Sequence, residues 1–235
     1  MVKRALGVRA FLCLLTVTLC VVFGLQGGIL HASIVPTGTL YGFYAITSND
    51  PICAAVGEQQ LFVDVYNGEG IVKFEFLNDG PTQLTICDIY FDDGLLLGAP
   101  YIIDSDDNYD GGPYGHPGVD FSHGASPPDL PGGGAYGFVA DDTFSSDADP
   151  QSSVWGVDPG EYLILVFDLE DSSPGVPGTL EDILDELDTE VLRIGIHVQN
   201  FEGSECSESF INTPEPATIC LMGLGGLALL RKRRA

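Results

Sequence analysis

Apolar and polar residues alternate with a period of two along several short stretches of the chain. From Ile71 to Leu77, Val72, Phe74 and Phe76 alternate with Lys73 and Glu75. Side chains two apart share one face of a strand, so this strand has one apolar and one wet face. Gln60 to Tyr66 precedes it across Asn67-Gly68-Glu69-Gly70, and the two runs read as a hairpin. A turn at Asn78-Asp79-Gly80-Pro81 leads into a third strand, Leu84 to Phe91, closed by Asp92-Asp93-Gly94. Glu161 to Leu169 is nearly continuously apolar, and Val191 to Val198 alternates Leu192, Ile194, Ile196 and Val198 with Arg193, Gly195 and His197. These two are the expected central strands. Between them Leu180, Ile183, Leu184 and Leu187 recur at helical spacing behind Thr179, with Asp182 three residues on as a weak capping box.

The pattern predicts an all-β fold, an antiparallel β-sandwich of jelly-roll-like class carrying one short helix. Ile103 to Ser153, rich in Gly, Pro and Asp, is too long for an ordinary connection. Short strands around Gly118 to Phe121 and Tyr136 to Val139 are expected to divide it.

Two further apolar runs have no alternation, and they lie at the two ends. Lys3, Arg4 and Arg9 precede a run from Ala10 to Leu25, followed by Gln26-Gly27-Gly28 and Leu30-His31-Ala32. A basic start, an apolar middle and a small residue for cleavage are the parts of a secretory signal peptide, with the cut expected after Ala32. The competing reading is an uncleaved signal anchor; Thr16, Thr18 and Gly24 dilute the run and argue against it. A lipoprotein reading of Cys20 fits less well, because Leu19 before it is bulky and the run continues through it.

At the other end, Pro214-Glu215-Pro216 precedes an apolar run from Ala217 to Leu230 and then Arg231-Lys232-Arg233-Arg234. As a helix, its 14 residues would span ~21 Å, short of the ~30 Å hydrocarbon core. Such a segment is a marginal anchor and suits a signal that is recognised and removed. Basic residues at both ends favour the cytoplasmic side for each, which places the body between them outside.

A Pro-Glu-Pro triplet, a short apolar helix and a terminal basic cluster in this order resemble the PEP-CTERM sorting signal, over about the last 23 residues. The resemblance implies recognition by exosortase, processing at or near Pro214, Glu215 and Pro216, and delivery to the cell envelope or an exopolysaccharide matrix. Arg231, Lys232, Arg233 and Arg234 would form its cytoplasmic basic cluster, and the short helix would hold the chain transiently in the cytoplasmic membrane. A plain tail anchor with a proline-rich stem is the alternative. Ile89 to Gly94, Leu192 to Val198 and Ser207 to Phe210 are also similar, more loosely, to a group of PEP-CTERM proteins whose body has no assigned function. The expected organisation is a signal peptide over 1–32, a secreted domain over 33–212 and the sorting signal over 213–235.

Charge sharpens this picture. Lys73 and Arg193 are the only basic residues between positions 33 and 212, against 33 acidic ones, a net −31. Such a body repels phosphate backbones and excludes nucleic acid as a partner, leaving cations, basic surfaces or neutral polysaccharide.

The clearest candidate for metal chemistry is Asp104-Ser105-Asp106-Asp107-Asn108-Tyr109-Asp110-Gly111. Asp104, Asp106, Asn108 and Asp110 place oxygen ligands at alternate positions before a Gly, as calcium loops require. The closing carboxylate is missing, since the twelfth position from Asp106 is Pro117. A solvated acidic turn is the competing reading, and no motif demands a cofactor. His116 and His123 flank Asp120 in the same region; a transition-metal site could be drawn through them, but they are expected to be simply exposed, while His197 is expected to be a surface or packing residue. Cys53, Cys87 and Cys206 remain once the ends are removed, so an exported compartment permits one disulfide from three pairings. Cys87 lies inside a predicted strand, which favours Cys53 with Cys206.

No nucleophile elbow, zinc-protease, phosphate-loop or dinucleotide motif occurs. Carboxylates are too many for any pair to stand out. The expected function is therefore non-catalytic: a surface or matrix protein, with signal peptidase and exosortase as partners during export and exopolysaccharide as a partner afterwards. The alternative is a calcium-dependent carbohydrate-binding module, with Tyr101, Tyr109, Tyr114 and Trp155 in loops as stacking faces.

Overall fold

In a computed structural model of the chain, the structure describes residues 38–68, 70–92, 94–103, 118–148 and 154–213. Strand β1 (Thr39–Ala45) is followed by helix α1 (Pro51–Gln60), the hairpin β2 (Leu61–Asn67) and β3 (Ile71–Asn78), and then β4 (Thr85–Asp92) and β5 (Leu97–Ile103). Short strands β6 (Phe121–His123) and β7 (Ser146–Ala148) bracket a 3-10 turn at Gly133–Tyr136. Strand β8 (Tyr162–Leu169), the small hairpin β9 (Asp171–Ser173) and β10 (Val176–Pro177), helix α2 (Leu180–Asp188), β11 (Arg193–Gln199) and β12 (Glu208–Asn212) complete the order.

Ten strands form one antiparallel sheet, in the order β5-β8-β3-β2-β1-β12-β11-β4-β7-β6. The two strands expected to be central, β8 and β11, have neighbours on both sides. Strand β1 is the turning point: Thr39 to Gly42 pair with β2, and Phe43 to Ala45 pair with β12. Phe91 of β4 meets Phe74 of β3 with centroids 5.2 Å apart and Phe167 of β8 at 4.8 Å. Those strands lie on opposite sides of β1 in the order, so the sheet folds over on itself to bring them together. The edge-to-face rings fill the space between the halves, each pair adding about 0.5–1.5 kcal/mol beyond its buried area. Ile183 and Leu187 of α2 are fully buried in the same core, and the helix starts at the capping box of Thr179 and Asp182.

Among the described residues there are two α-helices, where the pattern predicts one short helix for the body. Asp50 caps α1 by accepting from the Ile52 N–H at 2.8 Å, and Pro51 occupies the first turn. The helix buries the small residues Cys53, Ala54 and Gly57, with Gln60 at its end. It therefore carries no apolar stripe that periodicity could detect, and Gln60 ends the helix rather than opening the strand. A Cβ at Gly57 would lie 2.3 Å from the Phe210 ring, so a helix this close to β12 requires glycine there.

The expected strand at Tyr136 to Val139 is not formed, and the one near Gly118 falls at Phe121–His123. Gly132 and Gly137 adopt positive φ and curl the chain at Tyr136. Leu130 and Phe138 then turn onto the outer side of the sheet, where they pack with Tyr90, Ile211 and Ile46 over Gly195. Arg193 fastens this cover by donating to the carbonyls of Tyr136 at 3.0 Å and Gly137 at 2.6 Å while pairing with Asp92.

Candidate functional site

The sorting signal predicted from the sequence begins where the described chain ends, so its setting is built by β12. All five residues of β12 are buried, and the strand lies between β1 and β11. Two of its three polar side chains, those of Glu208 and Asn212, find partners inside the fold, while the buried Ser209 hydroxyl has none among the described residues. Glu208, fully buried, accepts from the Thr47 hydroxyl and the Asp50 N–H, each at 2.6 Å. Asn212 accepts the Ile194 N–H on its side-chain oxygen at 2.7 Å. Beyond the strand, Thr213 donates its N–H to the Gly42 carbonyl at 2.8 Å and its hydroxyl to the same oxygen at 3.2 Å. Strands β1 and β12 are antiparallel neighbours, and Asn212 stands opposite Phe43, so the chain leaves β12 beside the middle of β1.

Just before β12, Cys206 forms a disulfide with Cys53 of α1, 153 positions away in sequence. Cys87 is free and buried, and desolvation pushes its thiol up to about 12, with Asp88 adding to the shift. Its burial makes it a packing residue.

Several predicted site residues lie outside the described residues: Pro214, Glu215, Pro216 and Arg231, Lys232, Arg233, Arg234 of the sorting signal, and Asp104, Asp106, Asn108 and Asp110 of the calcium loop. Tyr109, Tyr114 and His116 do as well. Trp155 is in a loop and 40% exposed, whereas Tyr101, expected in a loop, stands on edge strand β5 at 53% exposure. His123 is exposed on β6. Among the described residues no cluster of three or more His, Cys, Asp or Glu side chains is placed to hold a metal, and no helix is long and apolar enough to cross a membrane.

Two groupings emerge that the sequence does not announce. Cross-strand register aligns Ser209, His197, Asp88, Asp147 and Ser122 in one row across β12, β11, β4, β7 and β6. The Nδ1 of His197 lies 2.9 Å from the Asp88 carboxylate. Ser, His and Asp in adjacent positions suggest acyl-transfer chemistry, yet Ser209 is 1% exposed and a substrate carbonyl has no access to its hydroxyl. Alternation along Val191 to Val198 predicts the face on which His197 lies; only the register supplies its partners.

The second grouping is an acid-lined cleft of about 290 Å³ between α2 and the chain before β5, bounded by Leu95, Leu96, Ser172, Asp182, Glu186 and Thr189. Burial raises the pKa of Glu186, the Leu95 N–H opposes the shift, and Asp182 adds to it.

Residues 212–234 match the family described as the PEP-CTERM protein-sorting motif. No curated protein and no solved structure matches the chain.

Proposed function

We propose that this chain, which carries a PEP-CTERM protein-sorting motif at residues 212–234, is a non-catalytic exported protein delivered to the cell envelope by exosortase. In this reading a signal peptide over 1–32 is removed after Ala32, residues 33–212 fold outside the membrane as a two-layer β-sandwich, and residues 213–235 hold the chain in the membrane until processing. Pro214, Glu215 and Pro216 are what the enzyme grips. Proline cannot continue a helix and biases the residue before it toward extended backbone, a form that an enzyme can grip.

One observation carries the reading: the motif starts at Asn212, the last residue of β12. Cleavage anywhere beyond Thr213 leaves every described strand intact, whereas cleavage before β12 would remove a strand from the middle of the sheet. A disulfide between Cys53 and Cys206 suits an oxidising compartment. The test is the carboxyl terminus of the protein recovered from its host envelope. A terminus beyond Thr213 and lacking Arg231 to Arg234 supports the reading; a terminus inside β12, or an intact tail, removes it.

A second reading, a carbohydrate-binding module of the exopolysaccharide matrix, draws on the exposed Tyr101 and Trp155. Calcium held by Asp104, Asp106, Asn108 and Asp110 belongs to this version. Failure of host polysaccharide to pull down the wild-type body would remove it, and pull-down that survives Trp155→Ala and calcium chelation would remove the parts given to Trp155 and calcium.

A further inference from the structure

The sorting motif and the fold share residues. Asn212 and Thr213 are the first two positions matched to the motif; Asn212 closes β12, and Thr213, just beyond it, is hydrogen-bonded to β1. Asn212, 3% exposed, receives the Ile194 N–H on one side, and Thr213 is bonded twice to the Gly42 carbonyl on the other. Pro214 is the first residue beyond this clasp. Only Pro214, Glu215 and Pro216 separate Thr213 from the apolar run at Ala217. Four residue steps reach at most about 14 Å even when fully extended.

A body of this size has a radius of gyration of about 16 Å, hence a width of roughly 40 Å. Its tether is short compared with its width. The tether leaves the body at Thr213, which is hydrogen-bonded to Gly42, so that end of the sheet faces the membrane. Any enzyme working at the membrane surface must reach the triplet in the narrow gap beneath the body.

We infer that Asn212 and Thr213 are positioning residues for the sorting reaction: by holding the chain to the sheet at position 213, they set the reach of the triplet and make the folded body a brake on its own processing. The inference rests on the sorting reading given above. Contacts that hold β12 in the sheet thereby limit how far Pro214 can leave the body. A longer tether lets the enzyme approach without displacing the body, while leaving every contact of β12 and Thr213 in place.

The test inserts four or eight Gly and Ser residues between Thr213 and Pro214 of the full-length chain in its native host. Processing is followed by pulse-labelling. As a control, the same eight residues are inserted in the Ser173-Pro174-Gly175 turn, which leaves the tether unchanged. Protease resistance of the body in intact membranes reports folding. The expected result is a rise in processing rate of at least three-fold with eight residues and a smaller rise with four. The control should match wild type, and the body should stay equally resistant throughout. Wild-type chain processed at the same rate as both tether variants, or faster, overturns the inference but leaves sorting intact. Absence of a processed form in wild type and all variants overturns the sorting reading, and the inference with it.

Discussion

Breaking the bond between Cys53 and Cys206 should weaken the body substantially. The cross-link closes a loop with a sequence separation of 153. In the chain-entropy description, a loop of that length removes about 17 cal/mol/K from the unfolded ensemble, or about 5 kcal/mol at room temperature. Residual structure in the unfolded chain reduces such values, so about 3–5 kcal/mol is the expected loss. The position matters too, because Cys206 lies two residues before β12 and Cys53 is in the helix that packs on Phe210 of that strand. Loss of the bond frees the approach to a central strand. The assay is urea unfolding of the mature protein, comparing wild type with the Cys53→Ser, Cys206→Ser double variant. The variant should unfold at clearly lower urea, with a melting temperature lower by on the order of 10 °C. The free thiol of Cys87 should be present in both proteins. Equal midpoints with equal slopes would refute the reasoning, since they would mean that the loop is already closed in the unfolded state or that the bond is not formed in solution.

Arg193→Ala should cost about 2–4 kcal/mol, because it leaves Asp92 unpaired in a partly buried place and frees the carbonyls of Tyr136 and Gly137; proteolysis in the segment from 124 to 145 would report the loosened cover. Gly195→Ala should cost about 1–3 kcal/mol, because its Cβ would meet Leu130 at 2.6 Å and Phe138 at 3.0 Å, and chemical denaturation checks it. Burial raises the pKa of Glu75 above its ordinary 4.5, against the hydrogen bond from Tyr66. The folded state then holds protons that the unfolded state has released, so this group's contribution to stability falls as pH rises from about 4.5 through the folded value. Glu75→Gln should flatten that decline in a stability-versus-pH series. Cys87 should resist iodoacetamide at pH 8 in the folded protein and react once unfolded, as its thiol is pushed up to about 12.

What could be read from the sequence was local. Val72, Phe74 and Phe76 announce β3 because adjacent positions alone define a strand's face, and Thr179 with Asp182 announces α2 because a cap is a contact over three residues. Helix α1 was hidden because its contact with β12 is made by small residues, Gly57 above all, and close approach leaves no apolar stripe. Strand β12 was hidden for a different reason. Glu208, Ser209 and Asn212 are polar, and the burial of Glu208 and Asn212 depends on partners such as Thr47, Asp50 and Ile194 that only the long-range register supplies. The same register pairs His197 with Asp88 and gathers Arg193 with Asp92. The sorting signal was legible for the opposite reason, since it is defined by the order of features along the chain. What the fold adds is where that signal starts: on the last residue of a buried strand.

Intact-mass measurement of the protein recovered from its native envelope tests the account most directly. The account predicts a species beginning after Ala32 and ending between Thr213 and the apolar run at Ala217, two mass units lighter than its reduced form because Cys53 and Cys206 are joined. A species that still carries Arg231 to Arg234, or one that ends before Asn212, would contradict it.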